Sequence, residues 1–229
     1  MRTSLTAIAL VASVGCASPT YEYSGYRTYD HFPLDGERYW NYQNPNEEYL
    51  LDVTIDSTEY VGNRAVRTLR YENGSLDSVL YWIKWSSDSG SGVQIHGYMV
   101  EEGTGSVADD SEDDGADTGA PSGNVITGEW VNYDPPLQVT EHQMTPGEAI
   151  ESTASDATYT STFAAVEACG NNWADTDWDC LKITIESDEA APPPFVGTWH
   201  WATEFGTSLF QPKDSLEPWI LTDFDWSPE

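Results

Sequence analysis

The chain has 229 residues, enough for one or two domains with a substantial core, and its 39 acidic against 9 basic residues give a net charge of -30. A charge of that sign and size repels nucleic acid and anionic lipid headgroups, which excludes nucleic-acid binding and leaves cation binding, a high-salt habitat or plain solubility. The hydrophobic share of 39%, with 10 Trp and 13 Tyr, is that of a folding chain and not of a disordered one.

At the N-terminus, Met1-Arg2 supplies one positive charge ahead of an apolar run over residues 5–15 (LTAIALVASVG). The run has the form of a signal peptide and is shorter than the ~20 residues of a membrane-spanning helix. Ala12-Ser13-Val14-Gly15 immediately before Cys16 resemble a bacterial lipobox, in which small residues permit cleavage and the cysteine thiol receives diacylglycerol. The expectation is therefore a lipoprotein signal over 1–15, lipidation at Cys16 and an N-terminal tether over 16–30. An ordinary cleaved signal peptide with Cys16 as a bystander is the competing reading. Ala17 stands where an Asp would signal inner-membrane retention, which favours the outer membrane.

From residue 31 to 226 the recurring period is two, which places alternate side chains on opposite faces of a strand. Val79, Tyr81, Ile83 and Trp85 alternate with Leu80, Trp82 and Lys84; Val93, Ile95, Gly97 and Met99 alternate with Gln94, His96 and Tyr98. Asn73-Gly74 is a hairpin signal and residues 87–92 (SDSGSG) are a looser one. No stretch of twelve or more residues keeps an uninterrupted helical period, so at most a short helical turn is expected. The acidic segment 102–124 has no aromatic residue and only Val107 as a sizeable apolar one, so it is expected to be a disordered insertion within one domain. A linker between two domains is the alternative. Its carboxylates could hold calcium loosely, although runs of like charge are usually just solvated.

Further on, Leu181, Ile183 and Ile185 alternate with Lys182 and Thr184, and Phe195, Trp199, Trp201 and Phe205 share one parity. The fold class expected is all-β: an antiparallel curved sheet, half-barrel or barrel of about ten to twelve strands filled by aromatics. With Cys16 assigned to lipid, Cys169 and Cys180 remain as a disulfide pair in an oxidising compartment; a thiol redox site would need a CxxC-like spacing that is absent. Between them, Asp175, Asp177 and Asp179 have the one-three-five oxygen spacing of a calcium loop, with Glu186 at the twelfth position. Cys180 occupies the position that needs glycine and 181–185 read as a strand, which argues against an EF-hand. A single calcium loop or a solvated acidic hairpin tip remain. Trp82, Trp173 and Trp178 are the aromatics most expected to face outward, Trp82 by its parity with Lys84 and the other two by their polar loop; exposed indoles would stack on sugar rings.

Residues 31–43 (HFPLDGERYWNYQ) resemble the Phe-Pro-Leu, Gly, Trp-x-Tyr opening of a broad set of uncharacterised secreted bacterial lipoproteins. Tyr133-Asp134-Pro135-Pro136-Leu137 with Met144-Thr145-Pro146-Gly147-Glu148, then Cys180-Leu181-Lys182, then Trp199-His200-Trp201-Ala202 with Gly206, and last Trp219-Ile220-Leu221-Thr222, are similar to that set's later passages in the same order. Phe205 departs from the pattern, as does the acidic insertion. The resemblance implies a mostly antiparallel β fold like the half-barrels of lipoprotein carriers, and it supplies no catalytic residues.

Chemistry tested independently gives no reaction. GxSxG does not occur, and His31, His96, His142 and His200 lack HxH or HxxxH spacing. The chain is read as a non-enzymatic envelope lipoprotein, with the membrane as partner through its lipid and an unknown small ligand, glycan or envelope protein as the second. The alternative is a carbohydrate- or calcium-binding module on the cell surface.

Overall fold

The computed structural model describes residues 25–46, 50–73, 80–101, 128–154, 156–169, 178–203, 205–213 and 215–227. The signal segment 1–15, Cys16, the insertion 102–124, Trp173, Asp175 and Asp177 lie outside these residues. In chain order the strands are β1 (Tyr26–Arg27), β2 (Glu37–Gln43), β3 (Leu50–Val61), β4 (Arg64–Asn73), β5 (Leu80–Asp88), β6 (Gly92–Glu101), β7 (Val131–Thr140), β8 (Gln143–Met144), β9 (Ala149–Ala154), β10 (Ala157–Ala168), β11 (Asp179–Ser187), β12 (Gly197–Ala202), β13 (Gly206–Pro212) and β14 (Trp219–Ser227). One turn of 3-10 helix, Thr28–His31, follows β1.

Twelve strands form one antiparallel sheet in the order β7-β6-β5-β4-β3-β2-β14-β13-β12-β11-β10-β9, while β1 pairs with β8 in a second sheet of two. Each long strand pairs with its sequence neighbour except where β14 pairs with β2, so two meanders join into a single band. The band nearly closes into a barrel, because its edges β7 and β9 lie beside each other and the Gln138 amide donates to the Ser152 hydroxyl at 3.1 Å. A side chain makes this seam where a backbone ladder would otherwise run.

A ring of twelve strands is wider than one that aliphatic side chains alone can fill. Here Trp85, Trp199 and Trp201 are fully buried, and Trp85 of β5 meets Trp199 of β12 across the ring at 5.6 Å between centroids. Residues 25–30, expected as the end of a tether, belong instead to the folded body. Tyr26 pairs with Met144, Thr28 is fully buried, and its amide donates to the His142 carbonyl at 3.2 Å. The chain then runs inward, and Phe32 lies 4.9 Å from Trp85 and 4.7 Å from Trp201. Phe32 and Leu34 therefore plug the barrel and complete its core.

Bulges set which residues point inward. The alternation on β5 holds, with Tyr81, Ile83 and Trp85 in the core. On β6 it breaks: Lys84 pairs with Gly97 and Trp85 with Ile95, leaving His96 as the extra residue. The face reverses there, so Tyr98 packs on the core while Met99 packs outside with Leu80 and Trp82. Similar irregularities fall on β3, β10 and β14.

Candidate functional site

One end of the barrel opens into a groove of about 660 Å³ lined by Tyr29, Asp30, Pro33, Leu34, Asp35, Arg38, Ala65, Arg67, Ser87 and Thr203. Its walls follow from strand alternation. Arg38 has the parity of Trp40 and Tyr42, Ala65 and Arg67 that of Leu69 and Tyr71, and Ser87 that of Ile83 and Trp85, so all four lie at the outer ends of core rows. The segment 29–35 closes the groove from below, and the Ser87 hydroxyl ties it down by donating to the Tyr29 carbonyl at 3.3 Å.

The two guanidiniums in the groove differ. Arg38 is buried, and it donates through Nε to the Asp35 carbonyl at 2.9 Å and through Nη2 to Asp35 Oδ1 at 2.8 Å. Arg67 donates to the Thr58 hydroxyl opposite it on β3 and makes no ion pair among the described residues. The ribbon that carries it, residues 57–61 of β3 against 64–68 of β4, turns at Gly62 with φ 65° and runs on to Tyr60, which is 74% exposed. Tyr60 pairs with Ala65 and Thr58 with Arg67, so these four side chains share the face that looks toward the groove.

At the same end, Cys169 and Cys180 form a disulfide between the end of β10 and the start of β11. Trp178 is partly buried against Phe205, with ring centroids 4.5 Å apart. Asp179 is exposed, and its charge reaches His31. Burial holds the His31 imidazole below its usual range, against the Arg27 carbonyl it donates to and the charges of Asp30 and Asp179. Of the three aspartates read as a calcium loop, only Asp179 is described. Among the described residues no group of three or more His, Cys, Asp or Glu side chains is arranged to hold a metal ion.

Trp82 faces outward as its parity predicts, yet it is only 4% exposed because Leu80, Met99 and Trp130 cover it. A second groove of about 270 Å³ runs beside it, lined by Asp56, Ser57, Glu59, Thr68, Trp82, Lys84, Met99 and Trp130. Lys84 lies 4.5 Å above the Trp130 ring and pairs with Glu59 at 3.0 Å.

Strand pairing also brings Ser86 Oγ to 2.9 Å from His96 Nε2, a contact no sequence spacing announces. It does not make a nucleophile, because Ser86 is fully buried. Burial, with Arg64 and Lys84 adding to it, holds His96 below its usual range against Glu59.

Sequence reasoning passed over the groove residues. Arg38 and Arg67 each stand two positions before an inward aromatic or aliphatic row, and a basic residue at that parity is the signal that marks the end of a barrel. No protein-family model, curated protein or solved structure matches the chain.

Proposed function

We propose that this chain is a lipid-anchored protein of the bacterial envelope, held at the outer membrane through Cys16, that binds a small ligand in the mouth groove and catalyses no reaction. The observation that carries the binding reading is the contrast between the filled barrel and its open end. Among the described residues, the interior cavity behind Phe32 holds only about 10 Å³, whereas the mouth offers about 660 Å³, within the range small ligands occupy. Tyr29, Pro33 and Leu34 supply apolar wall and Arg67, Asp30 and Ser87 supply polar groups, the mixture that orients a bound molecule. The anchoring reading rests on the lipobox-like residues before Cys16 and on the absence of any later apolar run long enough to span a membrane.

Saturation-transfer NMR with a library of small amphipathic probes tests the groove. Probes that bind the wild type should lose contact in Ala65→Trp, which fills the groove; retention of every signal in that variant would overturn the reading. Carbohydrate binding is a second reading, favoured by the outer groove, where the Trp130 ring stands beside Asp56, Glu59 and Lys84 as sugar hydroxyl partners. A saccharide bound there would leave Ala65→Trp unaffected and lose affinity in Trp130→Ala.

A further inference from the structure

We infer that the mouth groove is a receptor for small organic anions, with Arg67 as the residue that holds the carboxylate or phosphate group. This rests on the groove being a binding site.

In a chain of 39 acidic and 9 basic residues, basic side chains have carboxylates all around them, and Arg38, Arg64, Arg70, Lys84 and Lys182 each pair with one. Arg67, like Arg27 and Lys213, makes no ion pair among the described residues, but of these three it alone lies on the groove wall, and its hydroxyl partner Thr58 uses only part of a five-donor fork. The rest of that fork has the planar geometry that accepts a carboxylate or phosphate edge. Two arginines and two aspartates line the groove, and Asp35 already engages Arg38, so the groove is locally balanced while the molecule is strongly anionic. Beyond a Debye length of ~8 Å at physiological salt the distant carboxylates are screened, and contact with Arg67 decides the outcome. Tyr29, Pro33, Leu34 and Ala65 beside it, and Tyr60 on the same face of the ribbon, fit an apolar body attached to the anion.

The test uses four probes on the mature chain followed by amide chemical shifts: phenylacetate, phenyl phosphate, inorganic phosphate and the neutral 2-phenylethanol. The two organic anions should shift groove amides and bind more tightly than the other two; whichever is tighter supports the assignment and names the acid group. Arg67→Gln should weaken them about tenfold or more, the scale of one charge-assisted hydrogen-bond pair, and Arg67→Lys should recover part of the loss. Arg67 is on a solvent-facing ribbon, so an unchanged circular dichroism spectrum should accompany both variants. Unchanged anion affinity in Arg67→Gln, or 2-phenylethanol binding as tightly as phenylacetate, overturns the anion assignment and leaves the groove as a site. Inorganic phosphate binding as tightly as phenyl phosphate overturns the apolar-body half. No shift at the groove with any probe overturns this inference together with the reading beneath it.

Discussion

Trp85 meets Trp199 and Phe32 where the two walls of the barrel approach, and it has no solvent exposure. Removing its ring leaves a cavity between strands that are held apart by the sheet, so Trp85→Ala should lose about 3–5 kcal/mol in urea unfolding. A loss near zero would mean that the walls collapse freely. The histidines predict a pH dependence. Burial is the leading cause that holds His31, His96 and His200 below the ordinary imidazole value, and each is therefore more easily protonated in the unfolded chain. Their contribution to stability is complete above about pH 6.5 and is lost as pH falls through their folded values. Melting temperature should thus decline as pH drops below about 6.5, and His200→Gln should flatten part of that decline. His200 is the sharpest case, since among the described residues its buried Nδ1 has no hydrogen-bond partner and Glu167, 3.3 Å from Nε2, is the group that favours its charged form.

The β10–β11 hairpin is the element whose stability the cysteines control. Closing a loop of 11 residues' separation removes unfolded-state freedom equivalent to about 2–3 kcal/mol, so the double variant Cys169→Ala, Cys180→Ala should unfold earlier by that amount. Urea titrations of the oxidised protein and the variant would measure it. Elements were legible in the sequence wherever alternation was unbroken: Leu181, Ile183 and Ile185 are buried in the core as their parity requires. The face of Met99 was not legible, because the extra residue at His96 reverses the strand and nothing in its local composition marks a bulge. Trp82 shows the second limit. Parity correctly put it on the outer face, but its cover comes from Trp130, far away in sequence and beyond the acidic segment.

For the molecule as a whole, the sequence carried the all-β class, the approximate strand number and the disulfide, while the closure and the plug came from long-range contacts. The Phe-Pro-Leu and Trp-x-Tyr residues near the start of the domain have physical roles in that ring. Phe32 and Leu34 fill the ring, and the Trp40 indole donates to the Phe205 carbonyl at 2.6 Å, joining the first long strand to the turn before Gly206. Arg38 and Arg67 reach one mouth only when β2, β3 and β4 fold into a meander, and no spacing motif marks them, which is why the sequence pointed to exposed tryptophans and aspartates instead. On β11 the apolar Leu181, Ile183 and Ile185 turn inward and Lys182, Thr184 and Glu186 lie outside, the reverse of a lipid-facing strand of a membrane barrel. Membrane attachment, on our proposal, therefore depends on the N-terminal cysteine. Cys16→Ala or globomycin should leave the precursor unprocessed or release it in soluble form, read by fractionation; unchanged attachment would contradict the anchor. The claim on which the functional account turns is that ligand meets this protein at the open end of a filled barrel. Amide chemical-shift mapping during a phenylacetate titration tests it most directly. The account predicts shifts gathered at residues 29–38, 65–67, 87 and 203, and shifts confined to the Trp130 groove, or to none of the described residues, would contradict it.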